Sequence, residues 1–170
     1  MKTNSFFLLL FVLSLIAISS CIHKPVYPSE PVIEYKDFVR YGKPSDPDST
    51  VLIISFTDNE GDIGLGQADT QGLFKDGNLW MVYLYDSAHN NIYVPFDSSI
   101  TSPIPFDTFK IAYRVPLVLP SNDPSEPMKG LIYVKQSPFI KIHDRIEYEI
   151  YLYDKAMNRS KKIRTPPIIF

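Results

Sequence analysis

Three carboxylates alternate along one short turn of this chain, Asp58-Asn59-Glu60-Gly61-Asp62-Ile63-Gly64. Asp58, Glu60 and Asp62 offer hard oxygen ligands, and the two glycines of the turn allow the backbone to bend sharply. Calcium takes six to eight such oxygens. The same composition also suits a solvated turn in which Asp and Asn side chains bond their own backbone. The sequence leaves both interpretations open.

The turn does not match an EF-hand loop. Its alternating acids fit that pattern, but Ile63 occupies the place of the required glycine. Asp69 stands at the twelfth position, where the EF-hand uses a bidentate glutamate. No helical pattern flanks the turn. A calcium site here would therefore need ligands from other parts of the chain.

Other side chains capable of catalysis are dispersed. His23, His89 and His143 are not spaced with one another or with a carboxylate as metal ligands are, and none follows a Gly-x-Ser-x-Gly turn. Glu147 and Glu149 would lie about 7 Å apart on one strand face, a separation that inverting glycosidases use. They alternate with core residues on an ordinary strand, however, and no phosphate-binding glycine loop is present. We expect a protein that is not an enzyme.

Cys21 is the only cysteine, and it follows Lys2 and an apolar run over residues 6–18. This is the layout of a secretory signal, with an apolar run shorter than the roughly 20 residues that span a bilayer. The segment Ile18-Ser19-Ser20-Cys21 resembles the lipobox of bacterial lipoproteins. The resemblance implies a signal peptide over 1–20, acyl chains on Cys21, and attachment to a membrane of the bacterial cell envelope, the outer membrane in particular. An uncleaved anchor, or a cleaved signal that leaves a free thiol, is the alternative.

The predicted mature chain is a single domain behind a short tether. Of the 170 residues, 150 remain once the first 20 are removed, and the loss of Lys2 leaves 16 basic and 19 acidic side chains. A net charge of about −3 gives no footprint for nucleic acid. With Cys21 modified, no disulfide is available. Residues 21–31 hold the lipidated cysteine and a proline-rich tether, which in polyproline geometry would reach roughly 30 Å.

Short apolar runs bounded by turn residues predict an all-β fold over residues 32–170. The predicted strands are 32–41, 51–57, 79–85, 92–95, 109–115, 131–135, 146–153 and 162–169. Seven or eight short strands with proline- and glycine-rich turns indicate an antiparallel sandwich.

The seventh run alternates most clearly. Ile146, Tyr148, Ile150 and Leu152 would face the core, and the residues between them solvent. The stretch Asp144-Arg145-Ile146-Glu147-Tyr148-Glu149-Ile150 resembles the tyrosine corner of immunoglobulin-like domains, Asp-x-Ala-x-Tyr-x-Cys, without its cysteine. The resemblance implies an immunoglobulin-like sandwich in which Trp80 is the buried tryptophan of the third strand.

In immunoglobulin-like domains the loops after the second and sixth of their strands lie at the same end. The resemblance therefore implies that Asp154 and Asn158 approach the acidic turn. The expected calcium ligands are Asp58, Glu60, Asp62, Asp154 and Asn158.

A tyrosine face is the second candidate site. If Trp80 points into the core, Tyr83 and Tyr85 point outward, beside Tyr151 and Tyr153 on the neighbouring strand. Four such rings would suit stacking on a sugar or gripping an envelope protein. Cross-strand pairs that only stabilise the sheet are the alternative.

A further resemblance concerns two separated segments, 55–65 and 151–160. Their Gly-Asp-Ile-Gly turn and Asp-x-Ala-x-Asn-x-Ser ending are similar to those of uncharacterised lipoproteins of Bacteroidota. This implies location and fold but no activity. We expect a non-catalytic binding or scaffold module; a carbohydrate-binding module is the alternative, and an enzyme the second alternative. Because Ile22-His23-Lys24 follows Cys21 instead of acidic residues, the face of the membrane stays open.

Overall fold

The computed structural model describes residues 25–96, 110–117 and 126–170. The predicted signal segment and the lipidation site Cys21 lie outside the described residues. Within these ranges the chain forms nine strands and one turn of 3-10 helix, Gly72–Phe74. No helix in this part of the chain combines the length and apolar character that crossing a membrane requires.

Each predicted run overlaps a strand, and the last one overlaps two. In chain order the strands are β1 (Val32–Lys43), β2 (Asp46–Asp58), β3 (Leu79–Tyr85), β4 (Val94–Pro95), β5 (Lys110–Tyr113), β6 (Met128–Gln136), β7 (Arg145–Leu152), β8 (Ile163–Arg164) and β9 (Ile168–Ile169).

The strands form two antiparallel sheets. One has the order β1-β2-β6, and the other has the order β4-β3-β7-β8, with β5 also paired to β3 and β9 to β7. This arrangement confirms the predicted all-β sandwich and is consistent with the immunoglobulin-like type. It places the loop after β2 and the turn after β7 at one end of the molecule.

The core lies between the sheets and is centred on β7. Its four alternating apolar residues, from Ile146 to Leu152, are all buried, as the sequence predicted. Leu52 and Ile54 of β2 and Val134 of β6 face them from the other sheet. Full burial of an aliphatic side chain of this size is worth about 1.5–3 kcal/mol.

The prediction that Trp80 points into the core and Tyr83 points outward is wrong, because β3 has the opposite orientation. Tyr83 pairs with Tyr148, and Trp80 pairs with Tyr151. Because directly opposed residues share a face, Tyr83 lies in the core beside Tyr148 and is only 5 % exposed. Trp80 lies on the outer face, where its ring stacks on Tyr151 at 6.5 Å.

The physical reason is that β3 has no polar face. Leu79, Met81 and Tyr83 alternate with Val82 and Leu84, and all five are buried. A strand that is covered on both faces shows no alternation of polar and apolar residues. The sequence pattern therefore could not decide which set of side chains points inward.

Candidate metal centre at the acidic pole

The turn after β2 and the turn after β7 bring three carboxylates together. Asp58, Asp62 and Asp154 each place one oxygen within 4.8 Å of the others. We call these three residues the carboxylate triad, and the end of the sandwich formed by residues 58–64 and 153–160 the acidic pole. The predicted approach of Asp154 to the acidic turn is therefore present in the structure.

Asp58 is the most deeply buried member of the triad. It is the last residue of β2 and is 0 % exposed. Its Oδ2 accepts the backbone N–H of Asp62 at 3.0 Å, whereas its Oδ1 is buried and has no hydrogen-bond partner. The Oδ1 of Asp62 is likewise buried and without a partner. Two carboxylate oxygens are thus buried away from water without a hydrogen-bond donor in its place.

Asp154 is held by the turn that follows it. It is 1 % exposed. Its two oxygens accept the backbone N–H of Asn158 at 2.7 Å and the carboxamide N–H of the same residue at 2.8 Å. The backbone N–H of Lys155 reaches the carbonyl oxygen of Asp62 at 3.2 Å and so joins the two turns.

The electrostatics of the triad favour added positive charge. Burial raises the pKa of Asp58 to about 6, and the charges of Asp62 and Asp154 act in the same direction. Burial, followed by the charge of Asp154, also raises the pKa of Asp62. No lysine or arginine within the described ranges forms an ion pair with any of the three.

The other two predicted ligands take different places. Glu60 is not part of the triad; its Oε1 accepts the side-chain N–H of Asn59 at 3.3 Å, and its Oε2 is buried without a partner. Asn158 supports Asp154 as a hydrogen-bond donor. The structure therefore assembles three of the five predicted residues as a compact set of oxygen donors.

Gly61 shapes the acidic turn. Its φ of 67° lies in the left-handed region, which glycine adopts without strain. A side chain at this position would also collide with the carbonyl oxygen of Glu126. Only glycine therefore allows the turn to pack so closely.

Asn78 positions the pole, and sequence reasoning missed this role. Its side chain is 0 % exposed. The carboxamide donates to the carbonyl oxygens of Ile63 at 2.7 Å and Tyr153 at 2.9 Å, and it accepts the backbone N–H of Val115 at 3.0 Å. One side chain thus ties together three separate segments of the chain. In the sequence it is visible only as the last residue of an ordinary Asp-Gly-Asn turn.

Arg114 is a second residue whose role the sequence analysis did not predict. It holds the loop between β2 and β3 in place. Its guanidinium donates to the carbonyl oxygens of Gly66, Asp69 and Phe74 at 2.9–3.0 Å. Three bonds from one planar group hold this loop against the segment that follows β5.

The described part of the tether crosses the acidic pole. The backbone N–H of Tyr27 donates to the side-chain oxygen of Asn59 at 3.1 Å. The carboxamide of Asn158 donates to the carbonyl oxygen of Ser29 at 3.4 Å. Pro31 is buried at the start of β1. The proline-rich segment, for which the sequence predicts a semi-extended tether, therefore contacts the domain over residues 27–31.

The predicted tyrosine face is not formed. Tyr83 is buried, with its hydroxyl 3.2 Å from His143 Nδ1. Tyr85 is half-buried and stacks on the His143 ring at 4.2 Å. Tyr151 lies on the opposite face of the sheet, with Tyr153 at 5.9 Å from it. The four rings are divided between two faces because β3 is oriented opposite to the prediction.

The carboxylates of Glu147 and Glu149 are paired with basic side chains. Glu149 contacts Lys162 at 2.7 Å and Arg164 at 3.6 Å, and Arg164 also lies 3.9 Å from Glu147. These ion pairs connect β7 to β8 and the residue before it. Both glutamates thus form ion pairs between neighbouring segments of the sheet.

No protein-family model, curated protein or solved structure matches this chain. Its chemistry is therefore inferred from its own residues. At the acidic pole these residues supply carboxylate oxygens, the donors that hard cations such as calcium prefer.

Proposed function

We propose that this protein is a membrane-anchored, non-catalytic binding or scaffold module whose acidic pole takes up a calcium ion. The observation that supports the calcium site is the Asp58 carboxylate, which is 0 % exposed and has an oxygen without a partner. Burying an ionised carboxylate is costly unless an opposite charge or a metal compensates. A divalent cation among the three carboxylates would supply that compensation.

The donor set favours calcium over other metals. The triad offers only oxygen, whereas zinc and the later transition metals prefer imidazole or thiolate. Magnesium demands near-ideal octahedral geometry and usually retains several waters. Calcium tolerates irregular sets of six to eight oxygens, which backbone carbonyls and water would complete here.

Anchoring is supported by the lipobox resemblance at Cys21 and by the position of the tether. The tether joins the domain at the acidic pole, so the opposite pole is presented to envelope partners. The carbohydrate-binding alternative loses the shared tyrosine face on which it depended. The aromatic pair that remains on the outer face of the sheet for this alternative is Trp80 stacked on Tyr151.

Thermal unfolding during a calcium titration tests the calcium site. The full chain, purified in detergent and stripped with a chelator, is melted with increasing calcium. Saturation at 100-fold above the Kd adds about 2.7 kcal/mol, which raises the melting temperature by about 5–10 °C for a chain of this size. Asp58→Asn should abolish the rise, because it removes a ligand charge at nearly constant volume.

Asp144→Asn is the matched control for that titration. Asp144 is an exposed carboxylate paired with Lys141, at the opposite pole, so its loss should leave the calcium response intact. Equal responses of the wild type and Asp58→Asn would overturn the assignment of the site. The absence of any response to calcium would overturn the calcium proposal itself.

A further inference from the structure

The tether and the carboxylate triad are held by the same two turns. Asn59, which accepts the Tyr27 N–H, lies directly after Asp58. Asn158, which donates to the Ser29 carbonyl oxygen, also donates to Asp154. Each tether bond therefore ends on a residue that neighbours or supports a member of the triad.

A common cation would add to the contacts that hold the two turns together, which are the Lys155 N–H bond to the Asp62 carbonyl oxygen and the two bonds from Asn78. Three carboxylates within 4.8 Å of one another repel when all are ionised, and the repulsion acts between the turn that carries Asp58 and Asp62 and the turn that carries Asp154. A bound cation reverses the sign of that interaction. Because the tether bonds reach one residue on each turn, they require both turns in their observed positions.

We infer that calcium at the acidic pole fastens residues 27–31 to the domain, so that occupancy of the site decides whether the tether is docked or free. This inference rests on the proposed function. Linkage makes the coupling reciprocal: docking of the tether and binding of calcium strengthen each other by the same factor. Weakening a tether bond must therefore also weaken calcium binding by that factor.

The coupling changes how far the domain stands from its anchor point. With Tyr27 docked, only the six residues from Cys21 onwards separate the anchor from the pole, a span of at most about 20 Å. With the tether free up to Pro31, the span grows to about 35 Å at full extension. Calcium would then hold the domain close to the membrane, and its removal would let the domain move away.

Amide hydrogen exchange of Tyr27 measures the docking directly. The full chain in detergent is compared in calcium and in chelator. We expect Tyr27 to exchange about tenfold more slowly with calcium, because a docking equilibrium that calcium shifts by about 1.4 kcal/mol changes tenfold. The turn over residues 87–92, at the opposite pole, should exchange equally in both conditions.

Asn59→Ala separates the tether from the metal site. It removes the acceptor of the Tyr27 N–H but none of the triad, so Tyr27 should exchange rapidly with or without calcium. The melting temperature should still rise with calcium, with an affinity lowered by the coupling factor. Asn90→Ala, an exposed asparagine in the opposite turn, is the matched control and should change neither readout.

The outcomes distinguish the two proposals. If calcium raises the melting temperature but leaves Tyr27 exchange unchanged, the coupling is overturned and the calcium site stands. If calcium slows Tyr27 exchange equally in Asp58→Asn, the effect does not come from the triad and the coupling is again overturned. If neither quantity responds to calcium, the proposed function fails together with the inference.

Discussion

The Asp58 carboxyl shows how one residue sets the conditions under which the acidic pole is stable. Folding buries it at the end of β2 and raises its pKa to about 6, above the ordinary value of 3.8. The folded protein therefore binds this proton more tightly than the unfolded chain does. The resulting contribution to stability is fully present below about pH 4 and is lost as the pH rises to about 6.

The pH dependence of the metal-free protein should expose this residue. We expect Asp58→Asn to melt close to the wild type near pH 4 and above it beyond pH 6, because the asparagine has no charge to bury. Calcium should bind the wild type more weakly below pH 6, where protons compete for the carboxylate. Melting curves from pH 4 to 7.5, in chelator and in calcium, give both quantities.

For Asp144, the expected change of stability with pH has the opposite sign to that for Asp58. The hydrogen bond from Lys141 lowers the pKa of Asp144, so any contribution it makes is present at neutral pH and lost on acidification. A wild type and Asp58→Asn that differ equally at all pH values would contradict the assignment to Asp58.

At the scale of elements, Asn78 determines how the ends of the strands meet. It stands immediately before β3 and bonds the backbone of the acidic turn, of the turn after β7 and of the segment after β5. The carboxylate triad depends on these bonds, because two of them lie next to Asp62 and Asp154. The carboxylate triad is thus positioned by one neutral side chain as well as by the turns that carry its acids.

Asn78→Ala should be strongly destabilising. It removes the hydrogen-bond partner of the buried Ile63 carbonyl oxygen, of the partly buried Tyr153 carbonyl oxygen and of the buried Val115 N–H, and each loss at a buried group costs about 1–3 kcal/mol. We expect a total of about 3 kcal/mol or more by urea unfolding, together with weaker calcium binding. Asn90→Ala, on an exposed turn, should change stability by less than about 0.5 kcal/mol. A cost below about 1 kcal/mol for Asn78→Ala would show that the three segments are held by other contacts.

The elements also show what the sequence can predict and why. The alternation of β7 is readable because its outer face carries Arg145, Glu147 and Glu149, whereas β3 is apolar on both faces and gives no direction. The pairing of Asp58 with Asp62 follows from local spacing, and the approach of Asp154 follows once the sandwich topology is assumed. The role of Asn78 is invisible, because its partners lie 15, 37 and 75 residues away.

At the scale of the whole molecule, the tether and the proposed calcium site share one end. The β1–β2 turn and the loop between β6 and β7 lie at the other end. A lipid on Cys21 would therefore place the acidic pole toward the membrane and the opposite pole away from it. With this polarity, the end that carries the lipid would be separate from the end that is free to contact a partner.

Mass spectrometry of the processed N-terminus tests the anchor. Because residues 18–21 resemble a lipobox, we expect the chain to begin at Cys21 with at least two acyl chains, which bind a membrane durably where one chain binds only marginally. Cys21→Ser should abolish acylation, whereas Ser20→Ala keeps a small residue before the cysteine and should remain acylated. An unmodified Cys21 thiol in the exported wild type would refute the lipid anchor.

The entry of the tether into β1 has a mechanical consequence. β1 pairs antiparallel with β2 from Val32 to Lys43, with register irregularities between Tyr35 and Asp37 and between Tyr41 and Gly42. A pull from an anchor at Cys21 would act along the axis of β1, so the regularly paired stretch from Asp37 to Tyr41 would be loaded in shear and would not open one pair at a time. Forced unfolding is governed by the unfolding rate, and shear loading raises the barrier that sets this rate. With a lipid on Cys21, this orientation would resist tension between the membrane and a partner bound at the opposite pole.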